Sequence, residues 1–414
     1  MQTEPIEMTP AQVMQAGQGC LICDIRTDGE RTYGAIPGAL AMDAEALLAA
    51  PPALAAGQVL VICCARGVYS RDVAEELRRA GIPAYSLRGG YPAWVCERMR
   101  AEQNDGTETL CARVEHSLRK KYRRTLMTPF IRALKDYRLV NEGDRVAVCM
   151  SGGKDSMLMA KLFQELKRYS PVHFEVQYVV MDPGYHPDNR RIIEENARLL
   201  EIPVTIFESN IFESVYHVEK SPCYLCARMR RGYLYSFAQK LGCNKIALGH
   251  HYDDVIETIL MGMLYGGQVQ TMMPKLHSTN FPGMELIRPL YLIREDDIKA
   301  WRDDNGLHFI QCACRFTDTC TTCNNGQNHS KRQEIKELIR TLKQTNPQVE
   351  QLIFRSVENV NLDTVIAYKA GGVRHSFLDG YEEKGSAPKG EAGTEEQKEQ
   401  REEREEKEQQ EKNG

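Results

Sequence analysis

Cys223 and Cys226 stand three positions apart in "SPCYLCARMRRGYLY", with Arg228, Arg230 and Arg231 close behind. A Cys-x-x-Cys pair holds zinc, cycles as a dithiol, carries a persulfide or ligates an iron–sulfur cluster. Four more cysteines, Cys312, Cys314, Cys320 and Cys323, crowd into "CACRFTDTCTTC". A third thiol feature ends the apolar run "VLVICC", where Cys64 opens a loop leading into "SRDVAEELRRAG". A thiol on a strand-to-helix loop is surrounded by backbone N–H groups and a helix N-terminus, which favours its thiolate form. The chain holds fourteen cysteines in 414 residues, and its first residues, "MQTEPIEMTP", lack the basic start and apolar core of a signal peptide. The expectation is a cytoplasmic protein whose thiols serve metal, cluster or catalytic chemistry rather than disulfides. Cys20, Cys23, Cys96, Cys111, Cys149 and Cys243 read more simply as small core or surface residues.

The second chemistry is phosphate binding. "VAVCMSGGKDSMLMAKLFQEL" reads as strand, glycine turn and helix, with Ser151, Gly152, Gly153, Lys154, Asp155 and Ser156 in the turn. Glycines let backbone N–H groups approach an anion, and the following helix offers its positive end. The spacing differs from G-x-x-x-x-G-K-[ST], so this is not the loop of P-loop NTPases. Downstream, "ALGHHYDDVIETILMGMLYGG" places His250, His251, Asp253 and Asp254 after a strand. An Asp pair there either caps the helix or holds Mg²⁺ on the phosphates.

Stepping from these residues to the elements that must hold them, residues 1–100 alternate strands ("CLICDIR", "VLVICC") with amphipathic helix. The polar stretch 101–115 reads as a linker. A second α/β region, 116–372, contains the buried parallel-strand candidates "DRVAVCM", "FEVQYVVMD", "VTIF" and "KIALGH", separated by helices such as "PDNRRIIEENARLLEI". Residues 373–414 end in a run too charged to offset its ordering entropy, which reads as a disordered acidic tail. The net charge of −4 is segregated: −3 over residues 1–103, −5 over 381–414 and about +4 between them. A mildly basic centre permits an anionic partner, and "RKKYRR", 119–124, is the cluster best suited to an RNA backbone. The chain has no apolar run of about 18 residues, so no membrane-spanning helix is expected.

The S-G-G-x-D-S turn resembles the PP-loop of the adenine-nucleotide α-hydrolase-like ATP pyrophosphatases. Across about 116–365 the motifs "SGGKDS", "CYLCARMRRGYLY", "ALGHHYDD", "MLYGGQVQTMMPK" and "IRPLYLIREDDI", in that order, resemble the tRNA 2-thiocytidine synthetase (TtcA-type) family. That resemblance implies a Rossmann-like fold with a parallel sheet and cleavage of ATP between its α and β phosphates. It implies nucleotide binding by Ser151, Gly152, Gly153, Lys154, Asp155, Ser156, Asp182, His250, Asp253 and Asp254, with Mg²⁺, Asp155 being also a catalytic candidate. It further implies a [4Fe–4S] cluster on Cys223, Cys226 and Cys312, with one iron left open for sulfide. In the family a second Cys follows the third ligand at the third position, whereas here Cys314 follows at the second. Cys314 therefore competes with Cys312, and Cys320 and Cys323 are open to zinc binding or sulfur relay.

Residues 1–100 resemble a rhodanese domain, through "LICDIRTDGERTYGAIPGAL", "YSLRGGYPAW" and a C-x-x-G-x-x-S loop formed by Cys64, Gly67 and Ser70. The resemblance makes Cys64 the catalytic persulfide carrier. Tyr69 stands where the family commonly has Arg, with Arg66 and Arg71 nearby, which puts thiosulfate specificity in question and is compatible with a protein-borne persulfide. The combined expectation is an enzyme that adenylates C2 of a tRNA cytidine, position 32 by resemblance, and replaces its oxygen with sulfur. Its partners would be tRNA and a cysteine desulfurase or other persulfide donor, with a homodimer as a family-level expectation. Competing readings are another PP-loop tRNA modification, including lysidine-like ligation, and a redox or iron–sulfur sensor.

Overall fold

The alternating apolar runs and amphipathic helices build two sheets in series in a computed structural model of the chain. It describes residues 5–31, 34–102, 109–185, 187–209, 211, 222–310, 331–379 and 381. Residues 1–354 and 355–414 form two compact units. Among the described residues, no helix is long and apolar enough to cross a membrane.

The first sheet is parallel and comprises β1 (Glu7–Met8), β2 (Cys20–Asp24), β3 (Leu40–Ala41), β4 (Val59–Cys63) and β5 (Ala84–Leu87), in the order β1-β5-β4-β2-β3. β4 is central, and four of its five residues are buried, as a parallel strand covered on both faces requires. It ends at Cys63, in register with Asp24, so Cys64 starts the loop at the carboxyl edge. The helix Tyr69–Arg79 then buries Val73, Ala74 and Leu77 against Leu60 and Ile62.

The second sheet comprises β6 (Arg145–Met150), β7 (Glu175–Asp182), β8 (Val204–Glu208), β9 (Lys245–Ala247), β10 (Lys275–His277) and β11 (Glu285–Ile287), in the order β10-β11-β9-β6-β7-β8. All pairs are parallel except β10 with β11. The loops after β6, β7, β9 and β11 therefore leave at one edge, where open α/β sheets bind ligands. The four strands expected from sequence are present, and β10 and β11 are additional. At three residues each, they are too short to show periodicity.

Two expected boundaries move. The helix Leu110–Arg119 buries Cys111, Val114 and Leu118, so the supposed linker to 115 ends at this helix, and residue 116 lies within it. Fully buried Lys161 anchors it by donating to Glu115 at 2.9 Å and to the Leu200 carbonyl at 3.0 Å. The two sheets meet where the helix Gly90–Glu102 buries Val95 against Leu199 of the helix Pro187–Leu199, with Tyr91 and Leu110 beside them. In the C-terminal unit, β12 (Ala367–Ala370) and β13 (Val373–Ser376) form an antiparallel hairpin. Its turn is Gly371–Gly372, both at positive φ, as a two-residue hairpin demands. Residue 373 is thus a strand residue and not the start of a tail, and residues 382–414 lie outside the described residues.

Candidate nucleotide and sulfur-transfer sites

Ser151 to Ser156 turn the chain from β6 into the helix Lys154–Tyr169. Ser156 Oγ closes the turn, accepting from Ser151 N at 3.2 Å and donating to the Gly153 carbonyl at 2.9 Å. Gly152 has φ +84°, and a Cβ there would come 2.8 Å from Ile310 Cδ1 and nearer still to Ile193 Cγ1. At Gly249, after β9, an added Cβ would lie 3.3 Å from Ser156 N, so the bare backbones of the two loops come close together. The absence of side chains at both positions leaves a cradle of N–H groups at a helix N-terminus, which fits phosphate.

Lys154 is buried and reaches Asp155 Oδ2 at 3.2 Å and Glu295 Oε1 at 3.1 Å. Burial pulls its ammonium down, but the two carboxylates outweigh this and hold it above the ordinary lysine value. Burial pushes Glu295 up, yet Lys154, Lys336 and Lys299 hold it well below the usual carboxylate range. Asp155 Oδ1 is buried without a hydrogen-bond partner. An acceptor oxygen left in that state beside a phosphate cradle fits a cation.

The opposite wall begins after β9. His251 caps the helix Tyr252–Gly266: its N–H donates to Asp254 Oδ2 at 3.0 Å, and its ring lies 3.6 Å from Asp254, 3.8 Å from Asp253 and 4.0 Å from Asp155. Asp253 accepts from Arg294 at 3.0 Å and from Glu295 N at 2.6 Å, and Asp254 pairs with Arg332 at 3.1 Å. Asp254 makes the capping contact of this helix, while Asp253 ties it to the start of the helix Glu295–Asp304. Burial pushes Asp254 up, but His251 and Arg332 leave it lowered. His250 Nδ1 is buried without a partner. Burial, then the charges of Arg288 and Arg332, lowers His250 to about 4, so its ring is neutral at physiological pH.

Asp182 ends β7 on the far side of the PP-loop. Its Oδ1 accepts from Gly184 N at 2.8 Å and Tyr185 N at 2.6 Å, and Oδ2 pairs with Arg190 at 3.1 Å, so it shapes its own loop.

Cys223 and Cys226 fall within the helix Pro222–Lys240, three residues apart in the sequence. Arg228, Arg230 and Arg231 follow on the same helix, Arg228 and Arg231 exposed. Cys312, Cys314, Cys320 and Cys323 lie outside the described residues. In the "RKKYRR" cluster, Arg119 is paired with Glu165 at 2.7 Å, and Lys121 pairs with Asp304. Both side chains remain exposed, Lys121 at 66%, so these are surface pairs.

In the first sheet, Cys64 Sγ accepts from Gly67 N at 3.0 Å and Ser70 N at 3.4 Å, with Ser70 Oγ at 3.2 Å. Gly67 and Gly90 have positive φ, and a Cβ on Gly90 would strike the Cys64 carbonyl. The loop is thus folded tightly around one sulfur. Neighbouring Cys63 is different: burial, with Asp24 beside it, pushes its thiol well above the usual value. This arrangement directs two N–H groups at the Cys64 sulfur and leaves Cys63 an inert thiol.

Sequence reasoning passed over Glu295, Arg294, Gly249, Glu257 and Arg288. Arg288, Arg294 and Glu295 lie in the motif "IRPLYLIREDDI", whose available signal is Arg288 directly after a short apolar strand and Arg294–Glu295 at a helix start.

Residues 9–97 match the rhodanese-like domain family and residues 125–317 the PP-loop domain family. Fold and site define the class: a rhodanese-like module joined to a PP-loop ATP-binding enzyme. The chain is 36% identical over 233 residues to the tRNA-cytidine(32) 2-sulfurtransferase of Geotalea uraniireducens (strain Rf4), covering 55% of this chain and 88% of that one. It is 38% identical over 234 residues to that of Alkalilimnicola ehrlichii, covering 55% and 70%. A solved structure, the U34-tRNA thiolase NcsA from Methanococcus maripaludis with its [4Fe-4S] cluster, is similar at a TM-score of 0.46 and 22% identity, covering 57% of this chain and 77% of that one. The chain belongs to the tRNA-cytidine(32) 2-sulfurtransferase family.

Proposed function

We propose that this protein replaces the C2 oxygen of a tRNA cytidine, at position 32, with sulfur at the expense of ATP. The observation that carries the reading is the phosphate cradle of Ser151–Ser156, with buried Lys154 and the unpartnered Asp155 oxygen. It lies on the sheet edge of a family whose named activity is this thiolation. The N–H groups of the loop and Lys154 would hold the ATP phosphates. Mg²⁺ would bind against Asp155 and neutralise charge on the departing pyrophosphate, while Asp253 and Asp254 hold Arg294, His251 and Arg332 in place around it. The cytidine C2 oxygen attacks the α-phosphorus, and pyrophosphate leaves. A sulfur nucleophile then adds at C2, and AMP departs with the former carbonyl oxygen. A [4Fe–4S] cluster on Cys223, Cys226 and Cys312 would supply an open iron for sulfide.

Cys64 would carry the incoming sulfur as a persulfide, its charge stabilised by the N–H groups of Gly67 and Ser70. Release of that sulfur as sulfide would take two electrons from a dithiol reductant, which leaves as the disulfide while Cys64 returns as a thiol. A cysteine desulfurase or another persulfide donor is the partner this chemistry needs. The test is mass spectrometry of tRNA nucleosides from a strain lacking the gene. Loss of 2-thiocytidine is expected; an unchanged amount would refute the function. Anaerobically purified protein should hold about four irons, and stoichiometric zinc instead would refute the cluster.

A further inference from the structure

Six lysines and arginines are buried among the described residues. Five have a carboxylate: Arg26 has Asp24, Lys154 has Asp155 and Glu295, Lys161 has Glu115, Lys245 has Asp144 and Glu285, and Arg302 has Asp303. The sixth is Arg288, 7% exposed, and among the described residues no carboxylate pairs with it. Its Nη1 donates to the Met273 carbonyl, and its Nε has no hydrogen-bond partner. Burial brings its guanidinium down to about 10, and the charge of Arg231 acts in the same direction. A guanidinium has only donors, and one held out of water without an anion is destabilising unless a ligand completes it.

Its place in the fold says where that ligand comes from. Arg288 is the first residue after β11, and the N–H of Leu248, just after β9, donates to the Ile287 carbonyl at 3.0 Å. His250, with its own unpartnered buried Nδ1, leaves from that neighbouring strand. The PP-loop leaves from β6, one strand further along the same edge. At about 4.8 Å between strands, Arg288 stands roughly 10 Å across the sheet from the phosphate cradle. Two charges act on Arg288 without pairing with it: Arg231, on the helix that carries Cys223 and Cys226, and, in the opposite direction, Asp254.

We infer that Arg288, with His250 beside it, is a phosphate-binding residue of the active site, taking a phosphate oxygen of a nucleotide substrate. The inference rests on the thiolation reading above and adds a site to it. Two sources supply that chemistry: a backbone phosphodiester of the tRNA, and a phosphate of ATP. The distance from the cradle favours the tRNA.

The full-length holoprotein is compared with R288Q, R288K and R288M for equilibrium binding of unmodified tRNA and of a non-hydrolysable ATP analogue, and for melting temperature without ligands. R288Q is expected to bind tRNA about tenfold more weakly and the analogue within twofold of wild type. Neutralising one RNA phosphate contact should also reduce the slope of log K against log salt by about 0.7–0.9. R288K, keeping charge without the fork, should fall between R288Q and wild type. A tenfold loss for the analogue alone assigns the phosphate to ATP. R288M should melt at or above the wild-type temperature, because it removes an unpaired buried charge. Folded R288Q that binds both ligands within twofold of wild type overturns the inference. So does R288M melting several degrees lower, which would make Arg288 a structural residue. If the wild-type chain binds neither ligand, the thiolation reading fails and this inference with it; if wild type binds and R288Q binds equally, the inference alone fails.

Discussion

Gly152→Ala tests the claim that the phosphate cradle is shaped by the lack of one side chain. Two terms oppose the substitution. At φ +84° an alanine occupies the left-handed region, at about 1–2 kcal/mol. Its Cβ would also meet Ile310 Cδ1 at 2.8 Å and Ile193 Cγ1 more closely, an overpacking worth about 1–3 kcal/mol. The sum is roughly 2–5 kcal/mol, large against the net stability of a domain. The two terms separate in a double-mutant cycle. Ile193→Ala alone should cost about 2–5 kcal/mol, since Ile193 is 1% exposed. In the double mutant the clash with Ile193 is gone while the dihedral cost persists, so the pair should be less destabilised than the sum by about 1–2 kcal/mol. Urea unfolding gives the stabilities, and calorimetry gives ATP affinity, which should fall at least tenfold in G152A as the N–H groups shift. Additivity within about 0.5 kcal/mol, or G152A with wild-type ATP affinity, would refute the reasoning.

Cys64→Ser should abolish sulfur transfer from a protein persulfide to tRNA while sparing thiolation from free sulfide; equal loss or equal retention of both would rule out a carrier role. Lys154→Met should weaken ATP binding by tenfold or more and deprive two half-buried carboxylates of their shared partner, with a loss of about 1–3 kcal/mol in urea unfolding. Wild-type affinity in a folded K154M would contradict the cradle. Glu257 is buried, and burial lifts its carboxyl to about 7 against the pull of Lys336 and Arg332. A value raised on folding means that its stabilising contribution is complete below the unfolded value near 4.5 and is lost as pH rises through about 7. Glu257→Gln should therefore gain stability relative to wild type as pH goes from 5 to 8, by on the order of 3 kcal/mol. A pH-independent difference between the two proteins would show that Glu257 titrates normally.

Local signals carried the sequence reading well where chemistry is local. The turn Ser151–Ser156, the loop from Cys64 to Ser70 and the strands β2, β4, β6 and β7 are written in consecutive residues, through glycine spacing and β-branched runs. Contacts made across the fold were not legible. Nothing near Asp253 in the sequence announces Arg294, 41 residues on, which pairs with it. Nor does the sequence around Lys121 announce Asp304, its partner from a distant part of the chain. The helix Leu110–Arg119 was hidden because its buried face of Cys111, Val114 and Leu118 alternates with charges and follows a polar stretch. Arg288 was missed for the opposite reason: its importance lies in a partner it lacks, and no sequence pattern marks that.

The helix Pro187–Leu199 touches both halves of the chemistry. Ile193 bears on Gly152 of the phosphate loop, and Leu199 is buried against Val95 of the rhodanese-like module. Six residues of α-helix separate them, about 9 Å of stiff rod. One continuous helix therefore fixes the spacing between the phosphate loop and the rhodanese-like module, so that neither seat is set by a flexible connection alone.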